Sequence, residues 1–256
     1  AETKLTLAVH RPRDWRATDR RPCVVWFYGG GFESGSPVQF SVASRRMAQD
    51  LGMVAISADY RVRMRHGSHF TPLDAVRDAR SALRWVRIHA AEIGVDAERI
   101  ASGGGSSGGH LALACAALDG PDEPDEADSG TSPSPSALVL FNPVVDFDIP
   151  FVRQKAAGTE FEKLLSISPM HHLKRPLPPA LILHGADDRI VPVESVRRFV
   201  EKAKQLGGES IDFSVYPGKG HEFHLHGFNG NRDFEEAMGQ VEAFFEKLGW
   251  RGTAGI

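Results

Sequence analysis

Cysteine is scarce, with two in 256 residues. Cys23 falls in an apolar strand-like run and Cys115 in a helix-like one, which suits small buried hydrophobes rather than a disulfide framework. Long apolar runs are missing. The longest, residues 111–118, spans eight residues, far short of the roughly 18 that suggest a membrane span, so a soluble chain with no membrane partner is expected. Positive charge is not in excess: 30 Lys and Arg against 33 Asp and Glu give a net charge of −3, which argues against nucleic acid as a partner. No G-K-[ST] follows the main glycine cluster, which argues against phosphate binding there. Internal repeats and interdomain linkers are also lacking, and residues 1–256 read as one domain. The chain begins with Ala rather than Met, and compartment (cytoplasmic or secreted) and oligomeric state stay open.

What the sequence does contain is an alternation. Apolar strand-like runs at 5–9, 23–28, 53–58, 100–102, 137–141, 180–183 and 211–216 are mostly separated by helical patterns, which predicts a largely parallel sheet of about seven strands with helices on both faces. Thr71, Pro72 and Asp74 resemble a helix start; Val76, Ala79, Leu83, Val86, Ala90 and Ile93 then follow at helical spacing up to Gly94. Phe40, Ala43, Met47 and Leu51 mark another helix before Gly52, and Phe234, Met238, Val241, Phe245 and Leu248 a closing one before Gly249. Two segments break the rhythm. Residues 119–136 hold six acids among Pro, Gly and Ser and read as a mobile solvated loop rather than a calcium site, because regular ligand spacing is absent. Residues 147–179 are long enough to form a small lid.

A parallel sheet places its ligands at the carboxyl ends of its strands, so chemistry is sought there. The stretch "RIASGGGSSGGHLALA" sets two serines among five glycines between a strand-like and a helix-like run. It holds G-x-S-x-G in two overlapping frames, around Ser106 and around Ser107. The motif makes a sharp strand-to-helix turn that presents a serine in a strained conformation, and small residues on either side let strand and helix approach. A serine nucleophile needs a base and a carboxylate to orient that base. Asp187 and Asp188 follow the run "PALIL", and His221 follows "IDFSVYPGKG", so Ser, Asp and His come in that order.

"GGSSGGHL" resembles the G-D-S-A-G-G-x-L elbow of the bacterial esterase/lipase branch of the α/β-hydrolases, the hormone-sensitive-lipase-like or acetyl-esterase type. "YGGGF" (28–32) is similar to that branch's H-G-G-G-[FW] oxyanion loop, "SADYR" to its D-Y-R strand end, "HGADDRIVP" to its acid loop and "GKGHEF" to its histidine loop. The resemblance implies Ser106 as nucleophile with Ser107 as fallback, Asp188 as acid, His221 as base, and an oxyanion hole from the backbone N–H groups of Gly30, Gly31 and Ser107. It departs at Tyr28 (family His), Gly105 (family Asp) and Ser107 (family Ala). Tyr28, Phe32, Arg61 and His172 are candidate substrate contacts, and the basic segment of Arg61, Arg63, Arg65, His66 and His69 either recognises an acidic or sugar-rich substrate or forms a solvated loop. The oxyanion loop comes too early for an N-terminal cap, so an open pocket and short acyl groups are expected, on a small-molecule or carbohydrate ester.

The remaining candidates have plainer readings. "HEFHLH" lacks a second histidine at position 225, so no H-E-x-x-H zinc site is expected, and His224 and His226 read as rim residues. No metal or cofactor is called for. His110 reads as packing, His184 as serving a turn, His171 with His172 as lid residues, and Asp146 or Asp148 as an alternative acid. Rival functions are an amidase or peptidase of prolyl-oligopeptidase or formamidase type, or a non-catalytic binding protein on the same scaffold.

Overall fold

The computed structural model describes residues 3–126, 130–155, 159–208 and 210–252. The seven apolar runs become β1 (Leu7–His10), β2 (Arg21–Phe27), β3 (Val54–Ala58), β4 (Val95–Gly105), β5 (Ala137–Phe141), β6 (Ala180–Gly185) and β7 (Ile211–Tyr216). They form one sheet in the order β1-β3-β2-β4-β5-β6-β7, with β1 antiparallel to β3 and every other pairing parallel. Every residue of β2, β3, β5 and β6 is buried, so both faces of the central sheet are covered, as a parallel sheet requires.

The helices are α1 (Ser41–Asp50), α2 (Arg63–His66), α3 (Pro72–Ile88), α4 (Ser107–Ala117), α5 (Pro150–Lys155), α6 (Thr159–Leu165), α7 (Pro169–His172), α8 (Val193–Gln205) and α9 (Arg232–Lys247). The start of α3 is a capping box, with Thr71 N–H donating to Asp74 Oδ2 at 2.8 Å and Pro72 in the first turn. Its apolar spacing runs to Ile93, yet the helix ends at Ile88; a hydrogen-bonded turn from His89 to Gly94 carries Ala90 and Ile93 into the core at the same spacing. β4 is longer than the run 100–102 at both ends: Val95 pairs with Arg21 of β2, and at the other end Gly103 and Gly104 stay in register with β2 and β5 and Gly105 with β5. A side chain at Gly103 would lie 2.4 Å from the buried Trp26 ring, so glycine there answers to packing.

The expected lid is α5, α6 and α7 with their connections; residues 156–158 lie outside the described residues. The acidic segment 119–136, of which 127–129 are likewise outside, is not a free solvated loop. Asp122 pairs with Arg80 and Arg84 at 2.6 Å, Glu126 with Arg84 at 3.4 Å, Asp119 with Arg175 at 2.5 Å, and Glu123 with Arg61. Buried arginines on α3 need carboxylate partners, and this segment supplies them. Cys23 and Cys115 are buried and unlinked. Among the described residues no helix is long and apolar enough to cross a membrane.

Candidate active site

The turn from β4 into α4 explains the glycine cluster. Ser106 sits there with φ 55° and ψ −121°, a conformation that costs a non-glycine residue of order 1–3 kcal/mol. Three backbone hydrogen bonds hold it: Ser106 N to Phe141 O at 2.9 Å, His110 N to Ser106 O at 3.0 Å and Val144 N to Ser106 O at 3.3 Å. A Cβ at Gly104 would fall 2.4 Å from Phe27 O, and one at Gly108 2.1 Å from the same atom, so only glycines let β2, β4 and α4 meet. Ser106 stays partly accessible, whereas Ser107 is fully buried. The Ser107 hydroxyl is engaged as acceptor of the Gly31 N–H at 3.0 Å, which sets it apart from Ser106.

Asp188 follows β6. Its Oδ1 accepts the N–H groups of Ile190 (2.8 Å) and Val191 (2.9 Å), and its Oδ2 accepts His221 Nδ1 at 2.7 Å. Burial raises the carboxyl pKa, but hydrogen bonds from His184 and His221 outweigh it and hold the group well below the usual carboxylate range. His184, fully buried, bonds Val191 O at 2.9 Å and thereby shapes the acid turn. Asn142, just past β5, accepts Gly185 N at 2.9 Å and donates to His221 O, joining the acid and histidine loops. Asp146 and Asp148 are occupied elsewhere, Asp146 lying 3.8 Å from both His171 and Arg198, and Asp148 pairing with Arg153. Beside His221 opens a cavity of about 410 Å³ lined by Asp187, Arg189, Ile190, Lys219, Phe223 and Phe228.

The glycine loop after β2 is held from below. Tyr28 is buried with its hydroxyl 2.9 Å from Asp59 Oδ1 and 3.0 Å from Tyr60 O, while Tyr60 donates to Tyr28 O at 2.7 Å and the two rings stack 4.1 Å apart. Gly29 N–H donates to Gln39 Oε1 at 2.7 Å, and Gly31 N–H donates to Ser107 Oγ at 3.0 Å. Gly31 is therefore already partnered and differs from the expected free donor. Of the other two expected donors, Gly30 has a φ of 140° that only glycine adopts readily, and the N–H of Ser107 opens α4, where it has no partner within the helix.

The family model BD-FAE matches residues 7–203. The chain belongs to the BD-FAE family. Its sequence is similar to Esterase LipC of Mycobacterium tuberculosis, 31% identical over 232 residues that cover 82% of this chain and 56% of the relative. It is also similar to the Probable carboxylic ester hydrolase LipM of the same organism, 29% identical with coverage of 86% and 54%. The chain thus spans little more than half the length of these curated relatives. The apo form of esterase 2 from Thermogutta terrifontis matches with a TM-score of 0.89 and 37% identity over 98% of this chain and 92% of that one. Its propionate-bound form matches at 0.87 and 39%, covering 99% and 93%. The fold is that of the α/β-hydrolases.

In this BD-FAE chain the expected substrate contacts are mostly structural. Tyr28 lies beneath the loop, and Phe32 is buried edge-on against His110 (5.5 Å) and near Phe147 (6.1 Å). Arg61 is engaged by Asp78, from its Nε at 2.8 Å and its backbone N–H at 2.7 Å, and by Glu123. His172 Nε2–H donates to Leu165 O (3.0 Å), and the residue lines a cavity of about 320 Å³ whose walls include none of Ser106, Asp188 and His221. The basic segment pairs internally, Arg65 with Asp59 at 2.6 Å and Arg63 with Glu33 at 3.3 Å. His226 packs edge-on against Phe234, but His224 is buried and stacked on Phe141, contrary to a place on the rim. Among the described residues no group of three or more His, Cys, Asp or Glu is placed to hold a metal ion. Asn142 was not singled out by sequence; the only signal was an Asn-Pro pair directly after an apolar strand.

Proposed function

We propose that this chain is a serine carboxylesterase that hydrolyses short-chain, acetyl-type esters, carbohydrate esters among them, through Ser106, His221 and Asp188. The observation that carries the reading is the 2.7 Å bond from His221 Nδ1 to Asp188 Oδ2, made by a histidine loop that packs onto the residue before an accessible, strained serine. With Nδ1–H committed to the carboxylate, Nε2 is the free acceptor that takes the Ser106 proton as Oγ attacks the ester carbonyl. The tetrahedral oxyanion is met by the N–H groups of Gly30 and Ser107, and losing one such donor typically costs about 10²–10³ in kcat. His221 then protonates the leaving alcohol, and water, activated by the same imidazole, releases the acid from the acyl-enzyme.

Support comes also from the relatives, which carry the names of esterases. The proposed preference is for short acyl groups. It is consistent with esterase 2 of Thermogutta terrifontis, solved bound to propionate and to butyrate. A series of p-nitrophenyl esters tests it. Highest kcat/KM at two to four acyl carbons is expected; a preference for ten or more contradicts it, and comparable turnover of p-nitroacetanilide favours an amidase.

A further inference from the structure

Gly105, the residue before Ser106, has a backbone conformation open to any residue, since its φ is not among the positive values. What demands glycine there is a neighbour. A Cβ at Gly105 would lie 2.5 Å from Nε2 and 3.1 Å from Cε1 of His224. The His224 ring is stacked parallel on Phe141, 4.9 Å between centroids and 8° between planes, and meets Phe223 edge-on at 5.7 Å. Its Nδ1 is buried without a hydrogen-bond partner, and the ring lies against the backbone of His221, three residues earlier. Burial, then the nearby His221, push its pKa down to about 3, so the ring is uncharged at neutral pH.

We propose that His224 is a positioning residue for the reaction proposed above: its ring fills the space that Gly105 leaves empty and so sets the histidine loop, and with it His221, against the nucleophile turn. The elements concerned are otherwise linked at this end of the sheet through β5, where Phe141 O holds Ser106 N at 2.9 Å and Asn142 holds His221 O. Phe141 therefore presents one face to the imidazole and its carbonyl to the serine. Glycine at 105 and histidine at 224 form one fitted pair. The inference rests on the esterase reading, because a fixed distance between His221 and Ser106 matters only if a proton passes between them.

The test is a double-substitution cycle with p-nitrophenyl acetate, with active sites counted by stoichiometric phosphorylation so that kcat refers to folded, reactive protein only. His224→Ala and Gly105→Ala each lower kcat about tenfold or more with KM within about twofold, because neither side chain touches substrate. The pair is the decisive readout: Gly105→Ala costs less than about twofold when added to His224→Ala, since the methyl group then occupies vacated space. Gly105→Ala opens no cavity, so it keeps the test informative if His224→Ala folds poorly. Unchanged kcat in both single variants overturns the proposal, and so do penalties that simply multiply. A wild-type protein that turns over no ester overturns the esterase reading as well, and the wild-type rate alone tells that failure from the other.

Discussion

The Tyr28 hydroxyl bonds buried Asp59 at 2.9 Å, and that carboxylate also takes Arg65 at 2.6 Å and Tyr60 N at 3.0 Å. Tyr28→Phe removes one bond from a buried charged acceptor, which costs about 1–3 kcal/mol of stability. The oxyanion donors are backbone groups, so kcat in this variant should stay within about threefold of wild type; denaturant unfolding run alongside turnover checks both halves. At Asp188 the expectation is the reverse. Asp188→Asn should leave the fold intact and lower kcat roughly 10³–10⁴-fold, as loss of the tautomer-fixing carboxylate does in other serine triads; a fall of less than tenfold would show that another acid serves His221. Ser106, Asp188 and His221, the residues proposed as nucleophile, acid and base, could be singled out in the sequence because each sits in a short motif just past a strand. Asn142 and His224 make contacts that join distant stretches of chain, and no local pattern announces such contacts.

Helix α3 carries Arg80 and Arg84, both buried, into a segment whose composition alone suggests disorder. Arg84 meets Asp122 at 2.6 Å, Glu126 at 3.4 Å and Thr131 O at 3.0 Å. Arg84→Ala should therefore loosen residues 119–136, and limited proteolysis with a nonspecific protease should cut there at least tenfold faster; an unchanged cleavage rate would mean that these ion pairs do not hold the segment. Composition failed at this element because charge excludes a segment from an apolar core but not from pairing with charges that another element buries. The strands fared better. Period and run length located all seven, and the differences lie at ends: β4 runs beyond 100–102 on both sides, through Gly103, which Trp26 requires, to Gly105, and α3 stops short of the spacing that a following turn preserves.

At the scale of the whole molecule, two buried histidines make stability depend on pH. Burial pushes His110 down to about 4 and His224 to about 3, both from an ordinary value of 6.5. The unfolded chain then binds more protons than the folded one below pH 6.5, so the stability contributed by neutral burial is whole above pH 6.5 and is lost as pH falls toward 4. Well below pH 6.5 each histidine should approach about 1.4 kcal/mol per pH unit, which makes between about 1 and 2 kcal/mol each from pH 6.5 to 5. Chemical denaturation at the two pH values checks this, and equal stabilities would contradict it. Asp188, held low, adds its own loss only at still lower pH, as the medium approaches its folded pKa.

On the proposed mechanism Ser106 is the nucleophile of an ester hydrolase, and hydrolysis of p-nitrophenyl acetate by wild type, Ser106→Ala and Ser107→Ala, measured side by side, decides the point. Turnover should fall by several orders of magnitude in Ser106→Ala and stay within about tenfold of wild type in Ser107→Ala, whose hydroxyl is buried against Gly31. Wild-type rates in Ser106→Ala, or no turnover by the wild type, would contradict it.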